Sequence, residues 1–159
     1  MKTLPTNIND IIPDSHINYY IITLINTFNF KQLNGKYNSN KGTKAYPRQL
    51  LARIIIRGIL EDIQTTKDLE YLMKTNPTYI HLTGAQTPSS TTLTKFINEN
   101  EVVMLEILND TILISEKLGI KLKIDTDNPE KLLEKYKYNK KATLIQKNDV
   151  SYTKNTKKD

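Results

Sequence analysis

The stretch from Thr78 to Asn98, TYIHLTGAQTPSSTTLTKFIN, decides how the chain folds. Its first residues suit one short helical piece. Thr83-Gly84 ends that piece, because glycine accepts the left-handed backbone that closes a helix. Thr87-Pro88-Ser89-Ser90 is a turn that becomes a helix cap, where a hydroxyl accepts an otherwise orphaned N–H. Leu93, Phe96 and Ile97 supply the apolar face of the next helix, while Ser90, Thr91, Thr94, Lys95 and Asn98 fall on its outer side. A short helix, a turn and a second helix with a small polar outer face make a helix-turn-helix-like element. In that geometry the second helix enters the major groove of DNA by its N-terminal end. Short hydroxyl side chains permit close approach to phosphates and base edges, and Lys95 would neutralise a phosphate. A Ser/Thr-capped surface helix explains the same residues without any DNA.

Upstream, Asn76-Pro77 breaks a helix that starts at Thr65 or Thr66. Its apolar stripe is Leu69, Leu72 and Met73, and the acids Asp68 and Glu70 near its start suit the helix dipole. An earlier helix opens at Pro47, since proline's missing N–H would have had no partner at a first helical position. Leu50, Leu51, Ile54, Gly58 and Ile59 form its buried side, and Gln49, Arg53 and Arg57 recur every four residues along another. Gly58 costs about 1 kcal/mol relative to alanine in a helix, which predicts a close helix crossing there. Ser15 to Phe30 is expected to be a further helix, and Lys31 to Ala45 a flexible basic loop.

Downstream, Val102 to Leu118 has the wide apolar face of a longer helix, stopped by Gly119. Lys121 to Asp125 alternates lysine with apolar residues and predicts a single short strand. A basic helix from Glu130 to about Tyr138 is expected, followed by disorder over the last 20 residues. The expectation is an all-α, compact domain of five or six helices with a basic, partly disordered C-terminal tail. It divides into residues 1–119, the helical domain, and 120–159, a tail or the start of another domain.

The 159 residues contain no cysteine, which excludes disulfides and thiol chemistry. His16 and His81 are too far apart to suggest a histidine metal cage. Met1 to Asp14 lacks the pattern of a signal peptide, and no apolar run is long enough to cross a bilayer, so no membrane partner and a cytoplasmic location are expected. The net charge of +6 is unevenly placed. From Lys31 to Arg57 there are seven basic residues and no acid, and from Glu99 to Glu116 five acids and no base. From Lys131 to Lys158 nine lysines face two acids. One part of such a fold can sit on phosphate while another faces away, although a solvated surface accounts for charge runs too. Tyr19, Tyr20, Tyr71 and Tyr79 have apolar helical settings and are expected in the core or at its boundary. Tyr136 and Tyr138, among lysines, suit either nucleic-acid contact or a disordered tail.

The order of motifs narrows the reading. Tyr46-Pro47-Arg48-Gln49-Leu50-Leu51 is followed by Arg57-Gly58, then by Ile63-Gln64-Thr65-Thr66-Lys67-Asp68-Leu69-Glu70. Leu82-Thr83-Gly84 and Pro88-Ser89-Ser90-Thr91-Thr92-Leu93-Thr94-Lys95-Phe96 complete the series. From about Ile11 to Ile124 the chain resembles the N-terminal domain of InsH-like DDE insertion-sequence transposases. It departs from that pattern where Arg57 replaces a tyrosine and Ser89 an aspartate, and where Thr65, Thr66 and Lys67 replace a serine-serine-arginine element.

The resemblance implies binding to double-stranded DNA, the terminal inverted repeat of a mobile element. Lys44, Arg48, Arg53, Arg57 and Lys67 would position the duplex, and Ser90, Thr91, Thr94, Lys95 and Asn98 would read it. Arg53 and Arg57 are equally read as plain solvated charges. The resemblance also places Asp125 of Ile124-Asp125-Thr126-Asp127 at the first catalytic carboxylate, with Thr126 where the family has glycine. DDE chemistry needs further carboxylates holding two divalent metals, and 34 residues after Asp125 do not make a catalytic domain. Asp125 and Asp127 are therefore also read as a surface pair. The expectation is a truncated, non-enzymatic transposase with no cofactor, a divalent metal such as magnesium belonging only to a complete family member. Two rivals stay open. One is a protein-interaction module in which Glu101 to Leu118 pairs as a homodimer or with a full-length transposase. The other is a residual metal-dependent nuclease using Asp125.

Overall fold

A computed structural model describes residues 33, 35–37, 45–138 and 140–144. The helix expected over 15–30, Lys44, and the last 15 residues lie outside this set. Among the described residues the fold is all-α apart from a ladder of two short strands. In it β1 (Lys36–Tyr37) runs antiparallel to β2 (Tyr46–Pro47), with Tyr37 opposite Tyr46. The ladder closes part of the basic segment expected to be a flexible loop. It also sets Pro47 just before the helix it was expected to open.

Helix α1 (Arg48–Leu60) is the centre of the molecule. Leu51, Ala52, Ile54, Ile55, Ile56 and Ile59 are wholly inaccessible, and burial runs from Leu50 to Leu60 with only Arg53 interrupting it. A helix apolar around nearly its whole circumference must be enclosed by others. The two-sided helix expected from sequence, with Arg57 on a wet side, is corrected accordingly.

The helices that enclose α1 start and stop where local chemistry dictates. Helix α2 (Thr66–Thr75) is capped by the Thr65 hydroxyl, which accepts the Asp68 N–H at 3.0 Å. Helix α3 (Pro77–Thr83) is capped by Asn76 and ends on Gly84 in the left-handed conformation, φ 60°. Helix α4 (Ser90–Glu99) is capped by Ser89, whose hydroxyl accepts the Thr92 N–H at 3.1 Å. Helix α2 packs against both α3 and α4, so the helix-turn-helix-like pair leans on α2. Helix α5 (Glu101–Lys117) follows after Asn100, and the short α6 (Pro129–Glu134) rests on it.

The segment after Gly119 departs from expectation. Lys121 to Asp125 forms no strand. Ile120, Leu133 and Tyr136 belong to the same core as α1. Tyr136, expected among nucleic-acid contacts or in a disordered tail, is fully buried and donates its phenol hydrogen to the Ile63 carbonyl at 2.5 Å. Burial pushes that phenol well above its ordinary pKa. Buried Asp68 fastens the end of the segment, accepting from Thr143 Oγ1 at 2.7 Å and from the Leu144 N–H at 2.8 Å.

Gly58 explains how these pieces meet. A Cβ there would lie 2.5 Å from Leu69 Cδ2 and 2.8 Å from the Tyr136 hydroxyl. The crossing expected from a glycine inside a helix is present, and it joins α1 to two separate segments.

Candidate nucleic-acid interface

Helix α4 divides cleanly. Leu93, Phe96 and Ile97 are inaccessible, and Ser90 and Thr92 are buried beside them. Thr91, Lys95 and Asn98 are exposed at helical spacing along the opposite side. The hydroxyl-rich helix is thus half in the core and half in water, as a groove-reading helix must be.

Its N-terminal end opens on a groove shared with α2. Lys67, Tyr71 and Lys74 line one side, and Ser89 and Thr91 the other. Lys67 and Lys74 are seven residues apart, two helical turns, so both ammonium groups rise on one face of α2. Lys67 was expected at the site. Lys74 was not, although its spacing from Lys67 was a usable signal.

Glu70 stands between them. Its carboxylate accepts the Ser90 N–H at 2.6 Å and the Lys74 ammonium at 3.1 Å. Burial works against ionisation, but the Ser90 N–H and Lys74 prevail and hold Glu70 below its ordinary pKa. The first N–H of α4 is therefore held by an internal anion. A phosphate approaching this end must be met by Lys67, Lys74 and Thr91 rather than by the Ser90 amide.

The remaining expected residues take other places. Ser90 is 5% exposed, and its N–H is held by Glu70. Thr94 is half-buried, its hydroxyl 3.1 Å from that of Thr66, which locks α4 to the start of α2. Asn98 donates its amide to the Thr94 carbonyl at 3.0 Å and the Lys137 carbonyl at 2.9 Å. It therefore braces α4 against the C-terminal segment.

The arginines do not form the expected positioning patch. Arg57 is 1% exposed. Its Nη2 donates to Glu61 Oε2 at 2.9 Å, its Nε lies 2.8 Å from Oε1, and its guanidinium stacks 4.9 Å from the Tyr79 ring centroid. Tyr79 in turn donates to Glu61 at 2.6 Å. A charge so enclosed cannot meet a phosphate, and its neighbours on the helix are core residues because α1 is central. Arg48 hydrogen-bonds the Asn100 side chain and lies 5.8 Å from the Phe96 ring centroid, so it ties α1 to the junction of α4 and α5. Arg53 is half-buried, and burial lowers its pKa.

Asp125 is exposed, and its carboxylate accepts the Asp127 N–H at 3.0 Å, a local turn. Among the described residues no group of three or more His, Cys, Asp or Glu side chains is placed to hold a metal ion. No helix of the described residues is long and apolar enough to cross a membrane.

The curated proteins and the solved structures gave no match to this chain. The sequence profile of the transposase domain (DUF772) matches residues 6–99, more than half of the chain, and ends on the last residue of α4. With its helical fold and its outward-facing α4, the chain belongs to the transposase domain (DUF772) family.

Proposed function

We propose that the protein binds duplex DNA at the terminal inverted repeat of an insertion sequence, through α4 and the groove it shares with α2. The observation that carries this reading is the joint lining of that groove by Lys67 and Lys74 from α2 and by Ser89 and Thr91 from α4. Thr91 and Lys95 are the side chains that approach the major groove, and Lys67 and Lys74 hold the flanking phosphates. Ser90, Thr94 and Asn98 fix α4 in place, while Arg57 ties α1 to α3 through Thr78 and Tyr79. Family membership supports the reading, because transposition acts on DNA ends.

The test is fluorescence anisotropy with a labelled duplex from the ends of the host element, against a shuffled duplex of equal length. The expected result is tighter binding to the element end, with affinity falling as salt rises. Removing one phosphate contact, as in Lys67→Ala or Lys74→Ala, lowers the salt slope by about 1 on every sequence. Lys95→Ala or Thr91→Ala narrows the difference between the two duplexes. Equal, weak binding to both duplexes at low salt would sink the proposal.

A further inference from the structure

A second depression lies between α5 and α6, away from the α4 groove. Its floor is apolar, made by Val102, Leu105 and Leu133. Its rim is acidic, with Glu101 and Glu106 from α5 and Glu130 and Glu134 from α6, all exposed. Folding explains part of this. Leu133 is buried under the groove, and Glu101 and Glu130 sit in first helical turns, where a carboxylate suits the dipole. Folding does not explain the rest. Val102 is 71% exposed, and Glu134 sits at the C-terminal end of α6, where the dipole opposes a negative charge.

The groove already shows how it takes a cation. Lys137 lies along it with its ammonium 2.5 Å from Glu101, and that carboxylate raises the lysine's pKa. We propose that the groove binds a basic amphipathic segment of a partner protein. Apolar side chains of the segment would rest on Val102 and Leu105, and lysine or arginine side chains would meet Glu106, Glu130 and Glu134. Duplex DNA is the wrong ligand, because four carboxylates repel phosphate. A symmetric dimer through α5 is disfavoured for the same reason, since it sets two acidic rims against each other. The inference is independent of the DNA-binding reading.

The probe is a fluorescent 18-residue peptide with a leucine stripe at helical spacing and lysine elsewhere, titrated into the full chain. The expected result is saturable one-to-one binding that weakens with salt. A scrambled peptide of the same composition binds more weakly, because its apolar side chains no longer share a face. Glu106→Lys with Glu130→Lys weakens binding roughly tenfold or more, and Val102→Asp does the same, while Lys95→Ala leaves it unchanged. All these side chains are exposed, and unchanged circular dichroism and melting temperature confirm that each variant folds. Equal binding of the scrambled peptide, or affinity unmoved by these substitutions, overturns the proposal. So does a dimer seen by sedimentation without peptide and dissolved by Val102→Asp.

Discussion

Helices α4 and α5 meet at Asn100 and turn matching apolar stripes into one core, yet they show water opposite surfaces. Inward, Leu93, Phe96 and Ile97 of α4 continue into Met104, Ile107, Leu108 and Ile112 of α5. Outward, α4 offers Thr91 and Lys95, with two lysines of α2 beside its first turn. The outer side of α5 carries Glu101, Glu106, Asp110 and Glu116, with Val102 and Leu113 exposed among them. Packing constrains only the inner stripe of a helix, so the outer stripe is free to be set by a partner. The contrast teaches that two neighbouring helices with the same structural duty can present quite different chemistry to water. The family profile follows the same line, covering α4 and ending before the acidic α5.

The two faces depend on a common core, and Tyr136 is where that dependence is tested most severely. Tyr136→Ala removes a fully buried ring and leaves the Ile63 carbonyl without its partner. A loss of about 3–5 kcal/mol is expected from urea unfolding. An unchanged midpoint would detach the Ile120–Leu144 segment from the core and remove the shared support.

Arg57 separates structure from function within the basic segment. Arg57→Met leaves Glu61 without its cation, at a cost of about 1–3 kcal/mol. The figure is set below that of a fully buried pair because the Glu61 side chain is 28% exposed. The salt slope of DNA binding should not move. A slope lowered by about 1 would return Arg57 to the phosphate-contacting group.

Equal charge changes on the two outer faces sharpen the comparison directly. Lys67→Glu with Lys95→Glu should weaken duplex binding about tenfold or more, roughly 1.4 kcal/mol. Glu106→Lys with Asp110→Lys should leave it intact or slightly stronger. Similar losses from both pairs, in an anisotropy titration at fixed salt, would mean that the faces are not functionally distinct.

The smallest effect at ordinary pH concerns the seam between β1 and α4. Tyr37 packs edge-on against Phe96 at 5.2 Å. Burial first, and then the Glu99 carboxylate, push its phenol from 10.0 up to about 12. The folded state thus holds this proton more tightly than the unfolded chain. Its contribution is complete below about pH 10 and is lost as pH rises from 10 toward 12. Thermal unfolding followed across that window should show falling stability, and Tyr37→Phe should flatten the fall. Buried Tyr79 and Tyr136 have phenols shifted in the same direction and add to the slope.

Much of the fold was legible because it rests on local rules. The Thr65 and Ser89 caps, the Asn76-Pro77 break and the Gly84 stop each depend on a few neighbouring residues, and each stands where the motif put it. The close approach at Gly58 was legible too, though not the identity of Leu69 and Tyr136 as the groups that need the space. The site was legible in part. Thr91, Lys95 and Lys67 are exposed as expected, while Arg57 and Ser90 are buried and Thr94 and Asn98 brace the helix. A four-residue spacing shows which residues share a side of α1, but not whether that side is wet.

By itself the sequence determined the helices, their caps and the alternation of basic and acidic stretches, since these follow from backbone hydrogen bonding and composition along the chain. Only the tertiary structure decided which charges are surface. Enclosing α1 on nearly every side placed Arg57 in the interior. Returning the chain from Ile120 to Leu144 over α1 and α2 turned an expected tail into core, with Asp68 as its fastening. Burial is a property of what packs on a residue from distant parts of the chain, and no local spacing contains it.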